Sequence, residues 1–431
     1  MGSQQTQKVF RAARVWPSSA VGLIEDGVVA VEGDRIALAG AWADVKDQYP
    51  AESIRELGNV TLMPGLFDCH VHLQHDPSGA TTTLFDRRTD EEFTNLIIKH
   101  ASLLLDAGVT TTRDLGSRGT TVFTTRDRIN RGEIPGPRIH VAGAPLTVPG
   151  GHAHRMGGEC SGVDGVRSAV KMRAEQGADL IKVMATGGFM TAGTRPSEAR
   201  FTQEEMNAVK AEALAHNITV TTHATGTEGI AQAVEARFDC IEHCAWINRD
   251  GEARFDPAVA QKLVDRGIAV CPTMNTACTS HTYFCPWDAR EAIIENLRKM
   301  RAAGVKLIAG TDSGIGLCRF ERYADGLEAL ADAGYTPAEV AVMATESAAE
   351  ACRLSDATGR LVPGLSADVV AFEGNPLEDI TAYAKPAFVM ARGQEHQLTP
   401  IAPLGDIKKQ ADETFRILRE GSGLKKIAGT S

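Results

Sequence analysis

The stretch Leu66-Phe67-Asp68-Cys69-His70-Val71-His72 is an apolar run of strand length, entered through Pro64-Gly65, that ends on two histidines one residue apart. Alternate residues of a strand share a face, so His70 and His72 point the same way, as two imidazoles must to grip one ion. Short runs of the same kind recur at 109–113, 138–142, 179–184, 218–222, 240–242, 268–271 and 306–309. Amphipathic helical patterns fall between them, at 91–107, 165–176, 204–216, 228–237, 257–266, 288–303 and 338–353. Two of these carry capping boxes, Thr202 with Glu205 and Thr336 with Glu339, the second with Pro337 at the first helical position. Strand and helix alternating in this way predict an α/β fold, a (β/α)8 TIM barrel rather than an open sheet.

The flanks read differently. Residues 8–60 hold Val28-Val29-Ala30-Val31 and Arg35-Ile36-Ala37-Leu38, separated by the turn signal Gly33-Asp34. Near the other end, Ala367-Asp368-Val369-Val370-Ala371-Phe372 and Ala387-Phe388-Val389-Met390-Ala391 repeat the pattern. The two ends are expected to close on each other as a small β-sandwich. The expected organisation is 8–60 and 353–400 as its two parts, 61–352 as the barrel, and 401–431 as a C-terminal helix and tail.

With 431 residues, 43% of them hydrophobic and 23% charged, the chain can bury a large core. A formal net charge of -10, with no Lys/Arg cluster to offset it, argues against a nucleic-acid or anionic-membrane partner and leaves small molecules. Nine cysteines without a CxxC pair do not make a disulfide framework, and Cys69, Cys240, Cys271 and Cys352 read as buried thiols. No apolar run reaches the roughly 18 residues of a membrane span, and the first ten residues lack the apolar core of a signal peptide. The compartment stays open: cytoplasmic if the chain is complete, exported if a native signal has been removed.

Chemistry gathers at the ends of the runs. Lys182 lies inside Leu180-Ile181-Lys182-Val183-Met184, where an unpaired ammonium is costly to bury. It can snorkel to the rim, form a Schiff base, or add carbon dioxide as the neutral amine to give a carbamate that bridges two metal ions. The four histidines of the pattern argue against the Schiff base. His223 closes Thr219-Val220-Thr221-Thr222 and His243 closes Cys240-Ile241-Glu242. Singly, either is more often a core histidine than a ligand, but both end at the rim where barrels keep their chemistry. Asp312 follows Leu307-Ile308-Ala309-Gly310-Thr311 and is either a helix N-cap or, beside metals, a ligand and proton shuttle.

With these residues the chain resembles the amidohydrolase superfamily, in its binuclear branch with a carboxylated lysine. The order His70-x-His72, Lys182, His223, His243, Asp312 on the first, fourth, fifth, sixth and eighth runs is the order of that branch. The resemblance spans residues 8–400. It implies that His70, His72 and Asp312 hold the more buried ion, that His223 and His243 hold the more exposed one, and that N6-carboxylated Lys182 bridges them. Zinc is the default for such imidazole and carboxylate ligation. The implied reaction is amide hydrolysis by a metal-bridging hydroxide, with Asp312 carrying the proton to the leaving nitrogen.

Gly150-Gly151-His152 and Thr186-Gly187-Gly188-Phe189-Met190 resemble motifs of the prolidase-like group. That group removes a C-terminal amino acid from dipeptides or N-acyl amino acids, and includes bacterial enzymes that cleave ochratoxin A to ochratoxin alpha and phenylalanine. It implies a small-molecule amide substrate with a free carboxylate, and homo-oligomers from dimers to octamers. One departure is His152-Ala153-His154-Arg155-Met156, where relatives often carry a second glycine after the histidine. His152, His154, Arg155, Arg195 and Arg200 are the candidate carboxylate contacts, and Phe189, Met190 and Leu317 the candidate lining for an aromatic amino acid. Two other classes are a cyclic-amide or imidazolone hydrolase on the same scaffold, and a non-catalytic binding or assembly protein that kept the fold. Loss of a ligand would mark the last of these, and no ligand position is missing.

Overall fold

The computed structural model describes residues 7–77, 85–279 and 290–405. The expected C-terminal helix beyond residue 405 and the first residues of the helix expected at 288–303 lie outside the described residues. Strands β1 (Gln7–Val15), β2 (Ile24–Glu32), β3 (Arg35–Ala41), β4 (Ile54–Glu56) and β5 (Val60–Pro64) come first. Then follow β6 (Leu66–Val71), β7 (Val109–Asp114), β8 (Arg138–Val141), β9 (Leu180–Met184), β10 (Thr219–Gly226), β11 (Cys240–Ile247) and β12 (Ala269–Cys271), with helices between most of them. The last strands are β13 (Val369–Glu373), β14 (Pro386–Ala391) and β15 (Gln394–His396).

The α/β part holds two parallel sheets, β6-β7-β8 and β9-β10-β11-β12. Backbone bonds join them: Asp179 N–H donates to Val141 O (2.9 Å), and Leu146 donates to Lys182 O and accepts from Met184 N–H (2.8 Å each). The run at 306–309 does not form a regular strand. It still lies between β12 and β6, because Val270 N–H donates to Lys306 O (2.9 Å), Ile308 N–H to Val270 O (2.9 Å) and Cys69 N–H to Ala309 O (3.0 Å). Gly310 ends this run where a Cβ would sit 2.5 Å from Cys271 Sγ and 3.0 Å from His70 N, so only glycine admits so close an approach.

The capping boxes at Thr202 and Thr336 form as expected, and Thr89 with Glu92 makes a third on the helix Asp90–Asp106. The single helix expected at 338–353 is two, Pro337–Met343 and Glu346–Ala351. The break follows from competition for carbonyls: Ala344 O accepts Phe67 N–H (2.8 Å) and Met343 O accepts Ala309 N–H (3.2 Å), which ties the helix end to the strands. β10 and β11 run past His223 and His243 instead of closing on them. The extra length is irregular, with a register shift between Ala224 and Gly226 and positive φ at His243 (67°), Cys244 (51°) and Trp246 (58°).

Both flanks enter one eight-stranded sheet, ordered β15-β14-β13-β5-β1-β2-β3 with β4 on β1. β5 lies between β1, to which it is parallel, and β13, to which it is antiparallel. The sheet curls. Phe10 of β1 and Phe388 of β14 are three strands apart, about 14 Å in a flat sheet, yet their ring centroids are 4.8 Å apart. Phe10, Val29, Leu62, Val369 and Met390 fill the enclosed side. After Pro64 the chain turns straight into β6 through Gly65, where a Cβ would lie 2.1 Å from Thr110 Oγ1. Among the described residues no helix is long and apolar enough to cross a membrane.

Candidate functional site

The ends of β6, β10 and β11 and the turn after 306–311 bring His70, His72, His223, His243 and Asp312 together. Ring centroids step round the cluster: His72 to His70 5.2 Å, His70 to His243 5.2 Å, His243 to His223 4.4 Å, and His223 to His152 4.7 Å. Asp312 faces the first pair, its Oδ1 lying 3.3 Å from His70 Nε2 and 3.1 Å from His72 Nε2. Its backbone is fixed by a bond from Asp312 N–H to His70 O (2.8 Å). Asp312 (φ 64°) and His243 (φ 67°) both adopt the left-handed region, a conformation that costs energy and aims each side chain inward.

Each imidazole is steered by a bond on its other nitrogen. His70 Nδ1 lies 2.9 Å from Glu242 Oε2, His72 Nδ1 3.3 Å from Gly116 O, His223 Nε2 3.1 Å from Gly187 O, and His243 Nδ1 2.8 Å from Thr273 Oγ1. Such partners orient the rings and settle which nitrogen keeps a lone pair. Glu242 is wholly buried. It also accepts from Arg113 (2.9 Å) and from the Thr221 hydroxyl. Burial opposes its charge, but Arg113 and His70 outweigh burial and hold it well below the usual carboxylate range.

The residues present fit a cation. Donor atoms of His70, His243 and Asp312 all lie within 4.8 Å of one another. Asp312 Oδ1 is buried without a well-formed hydrogen bond, as an oxygen reserved for an ion would be. Burial pushes His70 down to about 4 and His243 to about 3, and His223 well below its ordinary value, so these rings are neutral and able to ligate. Burial works against the charge of Asp312 and positive charge on its imidazole neighbours holds it low; with those rings neutral, a bound cation takes over that part. A second group, His70 with Glu242 and Cys271, is equally compact. There the Glu242 carboxylate is tied to three protein donors, Arg113, Thr221 and His70, and the His70 nitrogen of that group is spent on the bond to it.

Lys182 is 1% exposed, and the carboxylates of Glu242 and Asp312 act on its charge from nearby. Burial lowers its pKa, which favours the neutral amine.

Of the loop candidates, His152 alone joins the ring of imidazoles. Burial pushes it to about 4, and its Nδ1 lies 2.9 Å from Thr191 Oγ1. His154 turns its Nδ1 to Gly151 O (3.0 Å). Arg155 is exposed and paired with Asp86 (2.7 Å), Arg195 is exposed beside Glu198 (3.8 Å), and Arg200 approaches Glu198 (3.6 Å). Phe189 and Met190 are half-buried, while Leu317 is buried and tied through its N–H to Pro77 O (2.9 Å). Glu242, Arg113, Thr273 and Thr191 were not singled out from the sequence. A lone Glu and a lone Arg inside apolar runs were the available signal for the first two.

Residues 61–395 match the amidohydrolase family. The chain is 28% identical to an ochratoxinase from Aspergillus niger over 415 residues, covering 85% of this chain and 81% of that one. The crystal structure of A. niger ochratoxinase aligns with a TM-score of 0.79 at 25% identity, covering 94% and 98% of the two chains. A Xaa-Pro dipeptidase crystallised with methionine in its active site gives a TM-score of 0.80 at 26% identity, covering 91% and 100%. An imidazolonepropionase from Rhizorhabdus wittichii is 26% identical over 402 residues, 85% of this chain and 93% of that one.

Proposed function

The chain belongs to the amidohydrolase family and is a hydrolase of C–N bonds; from that premise we propose that it releases a C-terminal amino acid from an N-acyl amino acid or dipeptide, ochratoxin A among the candidates. The observation that carries this proposal is the ring of imidazoles closed by Asp312, with Lys182 buried among the same strand ends. We assign His70, His72 and Asp312 to one divalent ion and His223 and His243 to a second, zinc by ligand type. Lys182 joins them as the N6-carboxylated form: the neutral amine adds carbon dioxide and loses a proton, and the charge of the resulting anion would be balanced by the two cations. Two such ions, when bound, supply a water acidic enough to ionise near neutrality and polarise the scissile carbonyl.

The chain's own part is positioning and proton transfer. Asp312, ionised and held by its backbone against β6, takes the proton of the attacking water and returns it to the leaving nitrogen. His152 faces the same space from the loop after β8 and offers a contact for substrate. The same family premise supports two finer features of the fold. One is closure of the strands as a (β/α)8 barrel, supported by the bonds of 306–309 to both neighbours. The other is a small sandwich made by the curled flank sheet.

Glu242 should matter through His70. Glu242→Gln is expected to weaken metal retention about 10- to 100-fold and to lower folding stability by roughly 3–5 kcal/mol, because Arg113 is left buried without its counter-charge. Competition with a chelator reads the first effect and a denaturant midpoint the second; unchanged metal retention would remove Glu242 from the site.

The substrate is tested by comparing N-acyl amino acids with their methyl esters. Masking the carboxylate is expected to lower kcat/KM about 10- to 100-fold, the worth of a charge-assisted contact. The second reading, a cyclic-amide or imidazolone hydrolase, is favoured by the similarity to imidazolonepropionase. Activity confined to cyclic amides would establish that reading and sink the first.

A further inference from the structure

The partners of the five imidazoles determine which nitrogen of each ring bears a proton. Gly187 O can only accept, so His223 donates from Nε2 and keeps its Nδ1 lone pair. Ionised Glu242 and Gly116 O can only accept, so His70 and His72 donate from Nδ1, and their Nε2 lone pairs face the Asp312 oxygen (3.3 and 3.1 Å) across the place of a shared cation. Thr273 gives its own hydroxyl proton to Pro272 O (2.8 Å), so it too accepts from His243 Nδ1. Four rings thus present lone pairs, as ligands must.

His152 is arranged the other way. Thr191 Oγ1, 2.9 Å from His152 Nδ1, already accepts Ala153 N–H (3.2 Å), and its hydroxyl proton has no other acceptor among the described residues. Donation to Nδ1 gives that proton its one acceptor among the described residues, and it leaves the ring's own hydrogen on Nε2. Nε2 has no hydrogen-bond partner among the described residues, and the ring stands 4.7 Å from His223. The support for Thr191 is itself rigid. Thr194 Oγ1 bonds Gly188 O and Thr191 O (2.9 Å each). Gly188 leaves room for the ring, since a Cβ there would lie 2.4 Å from His152 Nε2. Ala153 adopts a left-handed φ of 59°, which turns its N–H toward Thr191.

We propose that Thr191 is a positioning residue that holds His152 in its Nε2–H form, so that His152 offers a hydrogen-bond donor to a substrate oxygen where its four neighbours offer lone pairs. The role in turnover rests on the amide-hydrolase function proposed above; the tautomer does not. A donor at this place suits the carbonyl or carboxylate oxygen of an amide and repels a second cation, which separates His152 from the ligand set beside it.

The test uses metal-loaded, [15N]histidine-labelled full-length protein with Thr191→Val, which removes the hydroxyl at constant shape, and Thr191→Ser, which keeps it. Long-range 1H–15N spectra, with His152 assigned by its loss in His152→Gln, should show Nε2–H in the unsubstituted protein and in Thr191→Ser, and a changed pattern in Thr191→Val. Turnover of an N-acyl amino acid should fall 10- to 100-fold in Thr191→Val, mainly in kcat. It should stay within threefold in Thr191→Ser, and metal content per chain should be equal in all three. An Nδ1–H pattern in the unsubstituted protein, full kcat in Thr191→Val, or an equal loss in both variants overturns the proposal. Failure of the unsubstituted protein to cleave any such amide counts against the proposed substrate instead, and the nitrogen spectra then decide the role of Thr191 alone.

Discussion

Asp312→Asn is expected to keep its metals and lose turnover by about 10²- to 10⁴-fold, the contribution of a positioned proton-transfer group. The substitution is unusually clean here. Asparagine shares with aspartate a tolerance of the left-handed backbone, so the φ of 64° at this position adds no new strain. The bond from Asp312 N–H to His70 O (2.8 Å) is a backbone bond and survives. The amide oxygen can still occupy the place of Oδ1 between His70 and His72. What disappears is the basic carboxylate. Metal analysis and turnover on one N-acyl amino acid separate the two roles, and near-normal turnover with metals bound would remove Asp312 from proton transfer.

Lys182→Met should move two properties in opposite directions. Methionine fills the same buried space without a polar atom, so metal-free protein is expected to gain about 1–3 kcal/mol by no longer burying an amine. Loss of the proposed carbamate should at the same time abolish tight metal binding and lower activity by ~10³-fold or more, the scale of metal assistance worth several kcal/mol. Denaturant unfolding of the metal-free protein and metal analysis of the loaded one measure the two effects. A variant that retained both metals and turnover would show that Lys182 is an ordinary buried lysine.

The strand ends were readable because burial on both faces leaves near-continuous apolar runs, and a charged or metal-binding residue at the end of one stands out against them. Periodicity alone would have misplaced His243. It follows Glu242 directly, so regular alternation would send the two side chains to opposite faces; the positive φ at His243 breaks the alternation and turns its ring toward His70. Glu242 was overlooked as the residue before a candidate ligand, although a carboxylate inside a buried run needs a partner, and Arg113 in another such run supplies it. The loop arginines could not be ranked from sequence, because nothing local says that Asp86 and Glu198 will engage them. The run at 306–309 looked like its neighbours in composition, but its ladder is thinned where Gly310 must pass close to Cys271 and His70. The flank pairing was also beyond local pattern, since β5 bonds strands from both ends of the chain.

That last arrangement bears on the order of assembly. β5 runs through Gly65 directly into the strand that carries His70 and His72, and one of its edges waits for Val369–Glu373. During synthesis β5 emerges with that edge bare, and the edge stays so until β13 has been made. A contact between residues so far apart in sequence is slow to form, and an unpaired edge invites pairing with another chain in the interval. The first imidazole pair is thus anchored to a strand one of whose neighbours is made only after all the strands that bear the other imidazoles, which makes maturation of the site a late event in synthesis.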